Sequence, residues 1–143
     1  MTAEGIVSSS EVASGFLVAT LGSTVFILFI MHRSGTALLR YTLGGHLIAL
    51  GVAPAITSLV SSGAGQCLVG DFSLLFEFES SLAVDLSMFF MAATDTEHPL
   101  AAGTALAGVT SGFTRELALF FVASVFGLVV VHRLLCSRMR DLY

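Results

Sequence analysis

Apolar residues in this chain run in long uninterrupted stretches, with polar residues gathered between them. After a polar start, Val12 to Met31 carries no charge over 20 residues. A helix rising about 1.5 Å per residue needs about that length to cross a hydrocarbon layer of about 30 Å. His32-Arg33-Ser34-Gly35 then supplies a basic pair and a glycine, which end a helix. A second apolar run spans about 36–60, with Arg40 one turn inside it, where its stem can reach the headgroups, and Pro54 bending its last turns. The small-residue stretch Ser61 to Gln66 separates it from a third run over about 67–93. Thr94-Asp95-Thr96-Glu97-His98-Pro99 is a polar connection whose proline fits a helix start. A last apolar run covers about 115–135, followed by a basic tail with Arg138 and Arg140.

Between the connection and the last run, Leu100 to Thr114 is rich in glycine and alanine (Gly103, Ala107, Gly108, Gly112). As a helix it would extend only about 22 Å. It reads as a re-entrant or interfacial segment, or as the closely packed first part of the final helix, since small residues allow tight backbone approach. The expected fold is therefore all-α: one domain over residues 1–143, an integral membrane bundle of four transmembrane helices at about 12–31, 36–60, 67–93 and 115–135, with a possible fifth short segment. The positive-inside rule puts Arg33 and Arg40 on the inner face and the N-terminus outside. Four spans would then leave Arg138 and Arg140 outside, against the rule; a fifth crossing by Leu100 to Thr114 restores agreement.

Composition supports this reading. The chain of 143 residues is 55% hydrophobic and 11% charged, against about 25% charged in a soluble domain. Little is left for an extramembrane catalytic domain, and the long runs argue for helices over a closed barrel. A formal net charge of -4 with no basic stripe argues against nucleic-acid binding. The N-terminus lacks the basic region of a secretory signal. Cys67 and Cys136 come from distant regions and form no CxxC or disulfide framework, so both read as free thiols. Signatures of metalloproteases, hydrolases, dinucleotide sites and P-loops are absent.

The third run carries the unusual chemistry. Glu77 and Asp85 fall about 80° apart on a helical wheel, and Glu79 about 160° from Glu77, so one helix shows acids on two faces. A carboxylate near mid-span costs about 2.5 to 3.5 kcal/mol on insertion scales, unless it is paired, protonated or beside water. Each option implies neighbouring helices and points to proton transfer or to hydrogen bonds with other subunits. His46, near the middle of the second run, stands level with Glu79 in this reading. The two could share a proton, or His46 could donate to a backbone carbonyl at a helix contact beside Gly44-Gly45. The expected proton path is Glu79, His46, Glu77 and Asp85. No cofactor is expected; the alternative is a haem b held by His32 and His132 at span ends.

Residues 15–94 resemble the small three-helix subunit 4L of respiratory complex I, the K subunit of the bacterial enzyme. The matching elements are the turn His32-Arg33-Ser34, the second-helix stretch Leu38 to Gly45, and Phe78-Glu79-Ser80-Ser81-Leu82-Ala83-Val84, which puts Glu79 on that family's third-helix glutamate. Its second-helix glutamate would align with Gly44, and His46 could take over its role. The resemblance implies a non-catalytic subunit of NADH:ubiquinone oxidoreductase in a mitochondrial or bacterial inner membrane. Its partners would be other membrane subunits and lipids, and it would contribute to proton translocation. His32-Arg33-Ser34-Gly35 also resembles the His-Arg-x-Ser/Thr-Gly run of succinate dehydrogenase membrane anchors, which bind haem or quinone. A structural accessory subunit with no chemistry is the remaining alternative.

Overall fold

A computed structural model describes residues 9–31, 34–62, 72–111 and 114–135. Among these the chain is all-helical, with no strand. The α-helices are α1 (Ser9–Ile30), α2 (Leu39–Ser61), α3 (Phe72–Ala93), α4 (Ala101–Ser111) and α5 (Arg115–Leu135), and a 3-10 turn, Gly35–Ala37, leads into α2. At about 1.5 Å per residue, α1, α2, α3 and α5 are each about 32 to 35 Å long and α4 only about 16 Å. By length and composition, α2 and the Ala118–Leu135 part of α5 are fit to cross a membrane. α3 has the length but carries Glu77, Glu79 and Asp85.

Each long helix turns one narrow stripe inward at i, i+3, i+4 spacing. The stripes are Thr20, Thr24 and Leu28 on α1; Thr42, His46, Ala49, Ala53, Ile56 and Val60 on α2; Ser80, Ala83, Ser87 and Met91 on α3; and Phe121, Val125 and Val129 on α5. Large apolar side chains point outward instead, including Phe26, Leu59, Phe89, Leu119 and Phe120. In hydrocarbon, apolar burial gives no drive to associate, and small or polar residues mediate close helix packing. This inside-out distribution accounts for the weak amphipathic pattern of the sequence.

The ends of the helices fix their directions. Arg40, at the start of α2, pairs with Asp95, just past the end of α3. Leu28 near the end of α1, Ala37 before α2 and Val129 late in α5 form one apolar cluster. The ends of α1, α3 and α5 therefore gather with the start of α2. α4 leaves from the same end, because Gly45 of α2 lies against His98 and Ala101. Successive helices thus alternate in direction through all five. The Gly/Ala-rich segment is its own helix, separated from α5 by non-helical Thr114.

α4 is the central element. It packs against α1, α2 and α3, and Ala101, Thr104, Ala105, Ala107 and Val109 are all buried. Such encirclement needs small side chains: a Cβ on Gly103 would stand 2.6 Å from Oγ1 of Thr20.

Candidate functional site

α3 ends in a Schellman-type cap. The Thr96 N–H donates to the Met91 carbonyl at 2.9 Å and the Asp95 N–H to the Ala92 carbonyl at 3.3 Å. Asp95 takes the left-handed conformation with φ 53°, a position usually held by glycine. The cap reverses the chain, and the non-helical segment Thr96 to Leu100 passes over α2 at Gly44 and Gly45. A Cβ at Gly44 would stand 2.7 Å from Cγ2 of Thr96, and one at Gly45 would stand 2.7 Å from Cβ of His98. The absence of two side chains lets this segment lie directly on the α2 backbone, which brings His98 into the bundle.

His98 is fully buried and His46 nearly so. Their rings meet edge to face, with centroids 5.2 Å apart and planes at 62°. Phe121 of α5 closes another side of the His46 ring at 5.2 Å. Both nitrogens of His46 meet hydroxyls: Nε2 lies 3.3 Å from Oγ1 of Thr24 on α1, and Nδ1 lies 2.9 Å from Oγ1 of Thr104 on α4.

Counting protons sets the direction of this chain. The Thr24 hydroxyl donates its one hydrogen to the Thr20 carbonyl at 2.8 Å, so it accepts from Nε2–H of His46. A neutral imidazole then has its lone pair on Nδ1 and accepts from the Thr104 hydroxyl. The resulting series runs from Thr104 through His46 and Thr24 to the Thr20 carbonyl, crossing three helices. Imidazole can take a proton at one nitrogen and release one at the other, which makes it the natural relay residue.

The acids of α3 lie elsewhere. His46 is six residues past Arg40, about 9 Å along α2, whereas Glu79 is fourteen residues before Ala93, about 21 Å along α3. Arg40 and Asp95 share one end, so His46 and Glu79 stand roughly 12 Å apart along the bundle. The expectation that they are level is corrected: both are near mid-helix, but the helices are antiparallel and the two residues are displaced toward opposite ends. Glu79 is half-buried, with Oε1 enclosed and without a hydrogen-bond partner. Glu77 and Asp85 face outward. His32 lies outside the described residues; His132 is half-buried, with its ring edge-on to Phe29 at 6.1 Å.

Sequence reasoning missed His98. It stands in a connection whose composition reads as solvent-exposed. The available signal was its place immediately before a proline and a short Gly/Ala-rich helix, where non-helical backbone enters the bundle.

The sequence matches the family model described as HPP, transmembrane region, over residues 1–140. No curated protein and no solved structure matches. The family match covers all of the stretch that resembled complex I subunit 4L and overturns that assignment. The structure supplies a physical reason: the second-helix glutamate of subunit 4L would fall on Gly44, where Thr96 leaves no room for a side chain. The third-helix likeness rested on a short run of acid and small residues.

Proposed function

The chain belongs to the HPP transmembrane region family, and from that premise we propose that it is a membrane-embedded proton-translocating protein with His46 as the relay residue. The observation that carries this reading is the directed hydrogen-bond series Thr104, His46, Thr24, which crosses from α4 through α2 to α1. Polar groups inside a bilayer are costly and tend to mark ion or proton pathways. Here they converge where the half-length helix α4 begins, and non-helical backbone at membrane depth is tolerated where protein or water covers it.

In this reading α1, α2, α3 and α5 span the bilayer and α4 forms a short fifth pass packed among α1, α2 and α3. Arg40 and Arg133 lie near the end where the α3–α4 connection sits, and Arg33, Arg138 and Arg140 adjoin the same helix ends in sequence. Arg115 starts α5 toward the other end. The positive-inside rule then makes the arginine-rich end cytoplasmic or its equivalent. The fifth pass brings both basic segments to one side. The reading calls for a membrane that holds a proton gradient, such as a bacterial or mitochondrial inner membrane. Glu77 and Asp85 on the outer face of α3 call for partner helices, because lipid alone covers such groups poorly.

The test is proton flux into proteoliposomes containing the purified protein, driven by a potassium-diffusion potential and read with an enclosed pH dye. Wild type should conduct above protein-free vesicles, and His46→Gln should reduce the flux at least tenfold while remaining folded. Equal flux in wild type and His46→Gln would sink the proposal. A purely structural His46 is the second reading, favoured by its tight packing against His98 and Phe121. It predicts a lower melting temperature for His46→Gln and no flux in any variant.

A further inference from the structure

We propose that the segment Thr94 to Leu100 is a gate over the histidine pair, held shut by a latch between Arg40 and Asp95. The proposal rests on the relay reading for its purpose, but its geometry stands on separate observations. Toward the end where α2 begins, His46 lies only about 9 Å along the helix from Arg40, and a non-helical strap with His98 on its underside covers one side of its ring, with Phe121 on another. Toward the opposite end, Ala49, Ala53, Ile56 and Val60 of α2 join Ala83 of α3 and Ala105 and Val109 of α4 in an apolar core that continues to Met91 and Ala101 at the strap. The strap end is closed in part by non-helical backbone, and the opposite end by packed helices that form a plug around Ile56 and Val60.

The strap has few anchors at its outer edge. Arg40 bonds the Asp95 carboxylate through Nη2, and the Tyr41 hydroxyl also reaches Asp95, at 3.4 Å. The guanidinium lies over the Tyr41 ring, 4.6 Å from its centroid. Arg40 and Asp95 remain 58% and 69% exposed in their side chains. An exposed ion pair of this kind is weak and easily broken, as a latch must be. Asp95 also occupies the left-handed position at the cap where glycine fits best. Asp is one of the few non-glycine residues that adopts this conformation, and from it the carboxylate reaches Arg40. The groups facing His46 from the other elements include the hydroxyls of Thr24 and Thr104 and the ring of Phe121. Opening the latch frees the strap to lift, carries His98 away from His46, and lets water reach the relay from the arginine-rich end.

The gate is tested by histidine ethoxycarbonylation with diethyl pyrocarbonate on the full chain in nanodiscs. The rate at His98 is read by peptide mass spectrometry and normalised to His132. Wild type should react slowly at His98. Arg40→Gln and Asp95→Asn should each raise the His98 rate by about 1.4- to fivefold, the change expected from losing an exposed ion pair. The swapped pair Arg40→Asp with Asp95→Arg should bring the rate back toward wild type. Ile56→Ala, which loosens the plug instead, should leave the His98 rate unchanged. Identical His98 rates in wild type and both latch variants would overturn the gate, and so would an equal rise in Ile56→Ala, which would mean general loosening. The two readings fail separately: a conducting wild type with an unresponsive His98 removes the gate alone, whereas a responsive His98 in a protein without flux removes the proton reading and keeps the gate.

Discussion

The two halves of the bundle core differ in how many polar residues they bury. Near the strap, Thr20, Thr24, Thr42, His46, His98 and Thr104 are buried beside Met91, Ala101 and Phe121; toward the other end, Ser80 is buried among Ala49, Ala53, Ile56, Val60, Ala83, Ala105 and Val109. The same helices contribute to both, so the difference lies in which side chains occupy consecutive turns of one inward stripe. On α2 the stripe changes from Thr42 and His46 to Ala49 and Ala53 within about two turns. Packing in hydrocarbon requires closeness, and both halves achieve it with small residues. The polar half must in addition satisfy each buried donor and acceptor, because an unmet one there costs about 1 to 3 kcal/mol. Buried polar residues are thus concentrated toward one end of a single core.

The largest expected effect comes from forcing the polar half apart. Gly45→Val would set a branched side chain where even a Cβ lies 2.7 Å from Cβ of His98 and 3.3 Å from Cβ of Ala101. Neither neighbour can rotate a Cβ away, so the strap and the start of α4 must shift. Overpacking typically costs about 1 to 3 kcal/mol, and this contact belongs at the upper end. The measurement is thermal unfolding in detergent; a melting temperature equal to wild type would show that the strap does not lie on α2 as described. Ile56→Ala probes the plug. It leaves a cavity, but the replaced surface would otherwise face lipid and not water, so the loss should sit near the lower end of the about 2–5 kcal/mol seen for Ile→Ala in soluble cores. A loss as large as that of Gly45→Val would erase the contrast between the halves.

Much of this architecture is legible in the chain. The run at about 12–31 became Ser9–Ile30, that at 36–60 became a 3-10 turn and Leu39–Ser61, and that at 115–135 became Arg115–Leu135. The third run is helical over Phe72–Ala93, and its predicted start at 67–71 lies outside the described residues. Span length and apolar content are local properties, which is why they read out directly. The pairing of His46 with His98 is a property of the bundle. It depends on a chain reversal at Asp95 and on two glycines opposite the returning strap, and neither leaves a periodic trace. The same limit produced the error about Glu79: mid-helix positions look level in one dimension, and antiparallel packing moves them apart. The alternation of α4 was readable only as an open alternative, through the imbalance of arginines that four spans would leave.

The smallest effect on stability separates latch from scaffold. Asp95 holds the left-handed cap of α3, which costs an ordinary side chain roughly 1 kcal/mol or more and Asp less. Its bond to Arg40, being exposed, returns about 0.2–1 kcal/mol. Asp95→Gly removes both at once: the strain disappears and so does the ion pair, and the net change in unfolding free energy should stay within about 0.5 kcal/mol. Asp95→Ala removes the ion pair but keeps a Cβ in the left-handed region, so it should be less stable than Asp95→Gly by about 1 kcal/mol. Thermal unfolding of the three proteins gives the ordering, and the His98 ethoxycarbonylation rate gives the second axis. If Asp95 serves the cap alone, Asp95→Gly should leave His98 as protected as in wild type. If the carboxylate is there to hold the strap, Asp95→Gly should be as stable as wild type and yet react faster at His98, because an improved turn cannot replace the lost tie to Arg40.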